Sequence, residues 1–341
     1  MRRTIIRSEG ALQVQPEGEH RYRISVSVPG NDAGRVARKC PDPTCLPGSF
    51  TVKPGTGQPE PRAVTYCPYC RHAGDAQLFA TTEQMRYAKD LLMRQVQHNV
   101  DDMIRDALKL DAQGKRKLGG GMLSMQLSFK PAAVPPVQLP VEEDIRRDVA
   151  CPACGLDHTV FGMANWCSDC GSPMFLTHVA SELDVLRGIL GDLDRRRETL
   201  GWKAAARDLG NCLEDAVSVF EAAMKAMTRR HLMASGLNVS EVQSRLKKIG
   251  NAFQSVDRTA DVLREQLGVA ALPSAPWPQL KAAFEKRHPI THNLGVVDQK
   301  YLDRTQGSER EGHELSVSSR EVHTLLDDTQ TALKAVHDRL F

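Results

Sequence analysis

The sequence predicts an α+β multidomain protein, with small β and metal-ribbon modules and one long helix in its N-terminal half. An all-α antiparallel helix bundle is predicted for the C-terminal half. Three observations carry this reading. Eight of the nine cysteines fall in close pairs, Cys40/Cys45, Cys67/Cys70, Cys151/Cys154 and Cys167/Cys170. Apolar residues alternate every second position in an early segment. Beyond residue 176 they recur at three-to-four spacing almost to the end. A chain of 341 residues suits two or three domains.

Residues 1–80 read as β-structure with the first ribbon. His20–Val28 sets Tyr22, Ile24, Val26 and Val28 against polar partners, the period of a half-buried strand, and Pro29-Gly30 turns the chain. The Gly- and Pro-rich stretch from Cys45 to Cys67 suits a ribbon hairpin with a loose tip. Residues 81–148 begin with a helix from Thr81 to about Leu110, carrying Met85, Leu92, Val96, Val100, Ile104 and Leu108, with Thr81 or Thr82 as its cap. Gly114–Met122 ends it, Met122–Phe129 reads as a strand, and Lys130–Pro140 as an extended linker. That helix, set between two ribbons, is expected to pack on the bundle as one body.

Residues 149–175 form the second ribbon, and 176–341 the bundle. Val179, Leu183, Leu186, Leu190 and Leu193 make one stripe. Trp202, Leu209, Leu213, Ala216, Phe220, Ala223 and Met227 make the next, and Val242 to Leu267 a third. A shorter helix after Pro273–Pro278 carries Trp277, Leu280 and Phe284. The last opens on the capping box Ser318–Glu321 and carries Val322, Leu325, Leu326, Leu333, Val336 and Leu340. Such faces with short connections predict antiparallel packing.

The paired cysteines point to metal rather than disulfides in a chain expected to be cytoplasmic. The basic N-terminus lacks the apolar region of a signal peptide, and no apolar run has the length of a membrane span. Cys151, Cys154, Cys167 and Cys170 form two Cys-x-x-Cys-Gly knuckles twelve residues apart. Two thiolates from each turn reach one ion, and glycine relieves the backbone behind it. Cys40, Cys45, Cys67 and Cys70 form a looser group, in which His72 is an alternative ligand. Two structural Zn2+ sites follow, closed by four thiolates each, with no catalytic metal. Iron and cross-pairing between the groups stay open at this point. Cys212 reads as a core residue.

Net charge is +3, too small to imply nucleic acid by itself. The basic clusters Lys115–Lys117, Arg146-Arg147, Arg195–Arg197 and Arg229-Arg230 read as solvated helix faces or ends.

The segment Glu285–Leu302, EKRHPITHNLGVVDQKYL, concentrates Arg287, His288, Pro289 and His292 between two helices. His288 and His292 share a face on continuous helix, whereas Pro289 predicts a break or fresh start at His288 that could aim Arg287 and His292 into one cleft. Imidazole titrates near neutrality and suits general acid–base work. A guanidinium forms paired hydrogen bonds to phosphate oxygens.

The RHPITH motif late in a helix bundle, followed by HNLGVVDQKYL, resembles the HEPN superfamily (higher eukaryote and prokaryote nucleotide-binding). The resemblance covers about residues 176–341, and its specific part is Arg287–Leu302. It implies a HEPN-like bundle and a homodimer formed through it, with two motifs facing one composite ribonuclease cleft. RNA is the expected partner, with Arg287 and His292 as the catalytic pair, His288 as polar support and Asn293 on substrate. Bacterial toxins and anti-phage defence effectors, sometimes with a defence-system partner protein, are its usual setting; no membrane partner is expected. The rival reading is a non-catalytic zinc-ribbon adaptor that binds nucleic acid or protein and dimerises through the bundle.

Overall fold

The computed structural model describes residues 8–18, 21–59, 64–119, 125–131, 137, 147–269, 276–305 and 309–341. Met122, Arg146, Pro273 and most of the proposed linker lie outside them. The chain divides into two compact units, one of residues 1–39, 51–55 and 75–145, the other of 40–50, 56–74 and 146–341. The first four cysteines therefore belong with the second ribbon and the bundle, and the division does not follow sequence order.

In the first unit, Leu12–Pro16 and Tyr22–Val26 pair as an antiparallel hairpin, Leu12 opposite Val26. Tyr22 and Val26 lie where the alternation placed them, although Tyr22 stays exposed. Helix α1 (Thr82–Leu108) starts at a full capping box: Thr81 accepts from the Gln84 amide while the Gln84 side chain accepts from the Thr81 amide. The Gln84 amide nitrogen also donates to the Ala37 carbonyl at 2.9 Å, which fixes the helix on the Val36–Lys39 strand. Of the apolar stripe on α1, Met85, Val100 and Leu108 are exposed and Leu92, Val96 and Ile104 are half-buried. Lys115–Leu118 pairs with Met125–Ser128 as a second hairpin, which places the Lys115–Lys117 cluster on a strand instead of a helix end.

The second unit holds α2 (Phe175–Gly191), α3 (Leu193–Leu200), α4 (Trp202–Ala234), α5 (Val239–Ile249), α6 (Val256–Leu267), α7 (Trp277–Asn293), α8 (Gln299–Thr305) and α9 (Ser319–Leu340). The long α4 is the centre: α2, α3, α5, α7 and α9 all pack against it. The stripe Val179, Leu183, Leu186, Leu190 and Leu193 is buried throughout, as are Leu213, Ala216, Phe220, Ala223 and Met227. Phe220 is fully buried and meets Phe284 and Trp277 edge-to-face, with centroids at 5.2 and 6.3 Å. Truncating such a ring costs about 3–5 kcal/mol. Cys212 lies in this core, and burial pushes its thiol up to about 11.

Two stripes differ from expectation. Trp202 is 74 % exposed, because it opens α4 before the helix reaches its neighbours, and Arg197 stacks over its ring at 4.3 Å. The stretch Val242–Leu267 is not one helix. Gly250, at φ 57 and ψ −120, ends α5, and a 3-10 turn at Ala252–Gln254 leads into α6. Ser318 caps α9 in the predicted capping box. Arg195, Arg196 and Arg197 pair with Asp192, Asp208 and Asp194, a salt-bridged surface of modest stabilising effect.

Candidate metal centres and a cationic cleft

Each Cys-x-x-Cys knuckle closes by the same two backbone bonds. The Cys67 amide donates to the His72 carbonyl, and Arg71 donates back to the Cys67 carbonyl. Cys151 with Leu156 and Gly155, and Cys167 with Ser172 and Gly171, repeat the pattern. The residue after the second cysteine takes left-handed backbone each time: φ is 64 at Arg71, 76 at Gly155 and 68 at Gly171. Glycine occupies this conformation freely, whereas an L side chain costs about 1–2 kcal/mol. A Cβ at Gly171 would also lie 3.1 Å from the Tyr66 ring.

These turns gather Cys40, Cys45, Cys67 and Cys70 into one group, and Cys151, Cys154, Cys167 and Cys170 into another, with all sulfurs of a group within 4.8 Å. Cys40–Cys70 and Cys151–Cys170 are 3.7 Å apart, and Cys45–Cys67 and Cys154–Cys167 are 3.6 Å apart. The edge of a tetrahedron around zinc with bonds of about 2.3 Å is about 3.8 Å, so the donor set fits a tetrahedral metal ion such as zinc. Disulfide sulfurs lie far closer, at about 2.05 Å. Burial pushes the Cys154 thiol up to about 11, and those of Cys40 and Cys167 up as well. Four thiolates held this tightly need a cation among them. His72 is not in the group; its carbonyl closes the knuckle instead.

The two ribbons are interlocked. The Tyr66 amide donates to the Ser168 carbonyl at 2.8 Å, and the amides of Asn165 and Trp166 to the Pro68 carbonyl at 2.8 and 3.1 Å. Gln58 donates to Asp169 Oδ2 at 2.7 Å, Asp157 to Thr56 Oγ1 at 3.0 Å, and Phe161 to the Tyr69 hydroxyl at 3.0 Å. That hydroxyl in turn donates to the Ser49 carbonyl.

Within the bundle, α7 runs unbroken through Pro289. The predicted break is absent because the helix tolerates one missing amide: Pro289 is buried against its neighbours, and its carbonyl accepts from Leu294 and Gly295 at the C-cap. His288 and His292 therefore share a face, with ring centroids 5.1 Å apart. Both line a cleft of about 540 Å3 with Arg287. Arg258, Lys281, Lys300 and Arg304 complete its cations, and Asp257 and Glu285 are its carboxylates. Five cations against two carboxylates leave a surplus of three positive charges. Lys281 pairs with Asp257 and Arg304 with Glu285.

Arg287 is held from behind. Its Nη2 donates to Gln254 Oε1 at 3.2 Å, Gln254 Nε2 donates to Glu221 Oε2 at 2.7 Å, and Lys225 pairs with Glu221 Oε1 at 2.5 Å. His288 Nε2 lies 3.7 Å from Asp298 Oδ2. Burial, helped by the Lys300 charge, holds the His288 pKa below its ordinary value, with Asp298 opposing. Asp298 also accepts from the Tyr301 amide and so starts α8. Asn293 does not line the cleft; its side-chain amide donates to the Val296 carbonyl at 2.8 Å. Gly295–Val297 bonds to Gly312–Leu315, and Val297, Tyr301 and Leu315 pack together beneath this turn.

Gln254, Glu221 and Arg258 were invisible in the motif, since only the fold brings them to Arg287. The acidic and amide residue types around an arginine are the one hint, and they are common in any helix. No helix among the described residues is long and apolar enough to cross a membrane. The chain is thus a mixed α/β protein with two four-cysteine groups and a helical C-terminal region. Comparison with family models, curated proteins and solved structures finds no match to it.

Proposed function

We propose that this protein is a metal-independent endoribonuclease of HEPN type, a toxin or anti-phage defence effector that acts as a homodimer with a composite cleft. The observation that carries this reading is the convergence of Arg287, His288 and His292 in one cleft with surplus positive charge. Guanidinium and imidazole groups perform this chemistry without a catalytic metal. His292 takes the proton of a ribose 2′-hydroxyl, whose oxygen attacks the adjacent phosphorus. The bond from phosphorus to the 5′-oxygen breaks, and the partner's His292 protonates the leaving oxygen. The products are a 2′,3′-cyclic phosphate and a 5′-hydroxyl. Arg287 stabilises the charge on the pentavalent phosphorus, and neutral His288 packs on His292 and orients it.

Zinc is the ion proposed for both four-cysteine groups, in a structural role. Leu294 supports dimerisation: it is 85 % exposed at the tip beside the motif and holds a left-handed φ of 52. A strained apolar residue at such a tip is suited to an intermolecular contact. The non-catalytic adaptor is the second reading, favoured by the interlocking of two ribbons whose four-thiolate groups leave no open coordination position.

Incubating the zinc-loaded protein with total RNA in EDTA, after metal content and fold are verified, tests the proposal. Wild type should degrade RNA and His292→Ala should leave it intact. Intact RNA with both proteins favours the adaptor.

A further inference from the structure

A second pocket, of about 590 Å3, lies between the ribbons, α4 and α5, and shares no lining residue with the histidine cleft. Its wall combines Tyr69, Trp166, Met163 and Met233 with the guanidinium side chains of Arg71, Arg229 and Arg230. Asp42 is its one carboxylate among the described residues. Lys225 also faces it but is committed to Glu221. On α4 the residues Lys225, Arg229 and Met233 recur every fourth position, as do Ala226, Arg230 and Ala234, so one helix face supplies this wall.

Three features go beyond ordinary packing. Arg71 and Arg230 both place a guanidinium carbon over the Trp166 ring, at 4.4 and 4.6 Å, so two like charges share one aromatic side chain. Arg230 also lies over Phe341 at 3.7 Å, and its buried Nη1 has no hydrogen-bond partner. Arg71 occupies the strained knuckle position that glycine fills in the two Cys-x-x-Cys-Gly knuckles. Burial and the Arg71 charge lower the Arg230 pKa. A divalent metal with four thiolates at Cys40–Cys70 carries a formal charge of roughly −2. With Asp42 that matches Arg71, Arg229 and Arg230 in number, yet neither Arg229 nor Arg230 has a hydrogen-bond or ion-pair partner among the described residues, so both lack a direct counter-ion in the pocket.

We propose that this pocket binds a nucleoside phosphate, with the base against the Trp166–Tyr69–Met233 wall and the phosphate on Arg229 and Arg230. Planar bases stack on aromatic and guanidinium faces. Guanidinium forks match phosphate oxygens in pairs. The volume suits a single nucleotide, either free or as one unit of an RNA strand. This inference stands apart from RNA cleavage, because its readout is binding.

The test uses the zinc-loaded full chain with His292→Ala, so that no strand is cut. Adenosine 5′-monophosphate, inorganic phosphate, adenosine and a short single-stranded RNA are titrated by calorimetry. The monophosphate should bind about tenfold or more tightly than phosphate or adenosine alone, since base and phosphate both contribute. Arg229→Glu should weaken that binding about tenfold or more. Ala226→Phe, which fills the pocket without changing charge, should do the same, with metal content and circular dichroism as checks on folding. Tighter binding of RNA, equally sensitive to both substitutions, assigns the site to a strand; tighter binding of the monophosphate assigns it to a free nucleotide. The proposal is overturned if neither binds, if binding ignores both substitutions, or if poly-glutamate competes as well as RNA does.

Discussion

Replacing Cys67 by serine removes one sulfur from the first metal group, and it should loosen the second group, with which it shares no residue. Six hydrogen bonds of 2.7–3.1 Å join the ribbons through Gln58, Tyr66, Pro68, Tyr69 and Thr56 on the first. Each contributes about 1 kcal/mol net, so these six together contribute roughly 6 kcal/mol to the coupling. If half of these bonds survive when the first ribbon loses its metal, about 3 kcal/mol remains as the penalty on the second. That corresponds to a fall of about 100-fold in its metal affinity. Chelator competition with a colorimetric indicator reads this directly. Wild type should carry two zinc ions, and Cys67→Ser one, released at a far lower chelator concentration. A remaining ion held with wild-type affinity would refute the interlocking argument.

Gln254→Met breaks the chain from Glu221 to Arg287 while filling similar volume. A hydrogen bond to a charged group contributes roughly 1.5–3 kcal/mol, so cleavage of a fluorogenic RNA should fall about 10- to 100-fold in kcat with KM little changed. Loss of melting temperature with full activity would mean that Gln254 only braces the fold. Leu294→Gly relieves the left-handed strain at φ 52 and should stabilise an isolated chain by up to about 1 kcal/mol, but weaken self-association in sedimentation. A stabler chain with unchanged association would remove Leu294 from the dimer contact. His337 stacks on Phe175 at 5.6 Å, and burial holds its pKa below the ordinary value, the Arg230 charge adding to this and Asp338 opposing. The unfolded chain therefore binds the extra proton, and stability is full above about pH 6.5 and declines as pH falls through the depressed value. His337→Phe should melt with a smaller loss between about pH 7 and pH 5 than wild type; an equal loss would clear His337 of this role.

The bundle was legible because its apolar stripes are regular: every residue from Val179 to Leu193 assigned to the core is buried. The cysteine ligands were legible from their close pairs, whereas which pairs share one ion stayed open until the fold gathered Cys40, Cys45, Cys67 and Cys70 apart from Cys151, Cys154, Cys167 and Cys170. What the sequence hid is long-range. Nothing local announces that Tyr69 bridges the ribbons, that Gln254 meets Arg287, or that Arg230 meets Trp166 and Phe341. Trp202 misled because periodicity reports a helical face, not where along the helix its neighbours begin. Pro289 misled in the opposite way, since a buried helix absorbs one lost hydrogen bond when its neighbours hold it in place. Arg287, His288 and His292 could be named from the motif, whereas the five-cation cleft around them needed α6, α7 and α8 to be folded together.

The most direct test of the central claim is the chemistry of the cut ends. A short RNA incubated with the zinc-loaded protein in EDTA should yield fragments ending in 2′,3′-cyclic phosphate and beginning with 5′-hydroxyl. Arg287→Ala and His292→Ala should each abolish them, and a 2′-deoxy substitution at the cut site should block cleavage. Fragments ending in 3′-hydroxyl, or equal cleavage by wild type and both variants, would contradict the account.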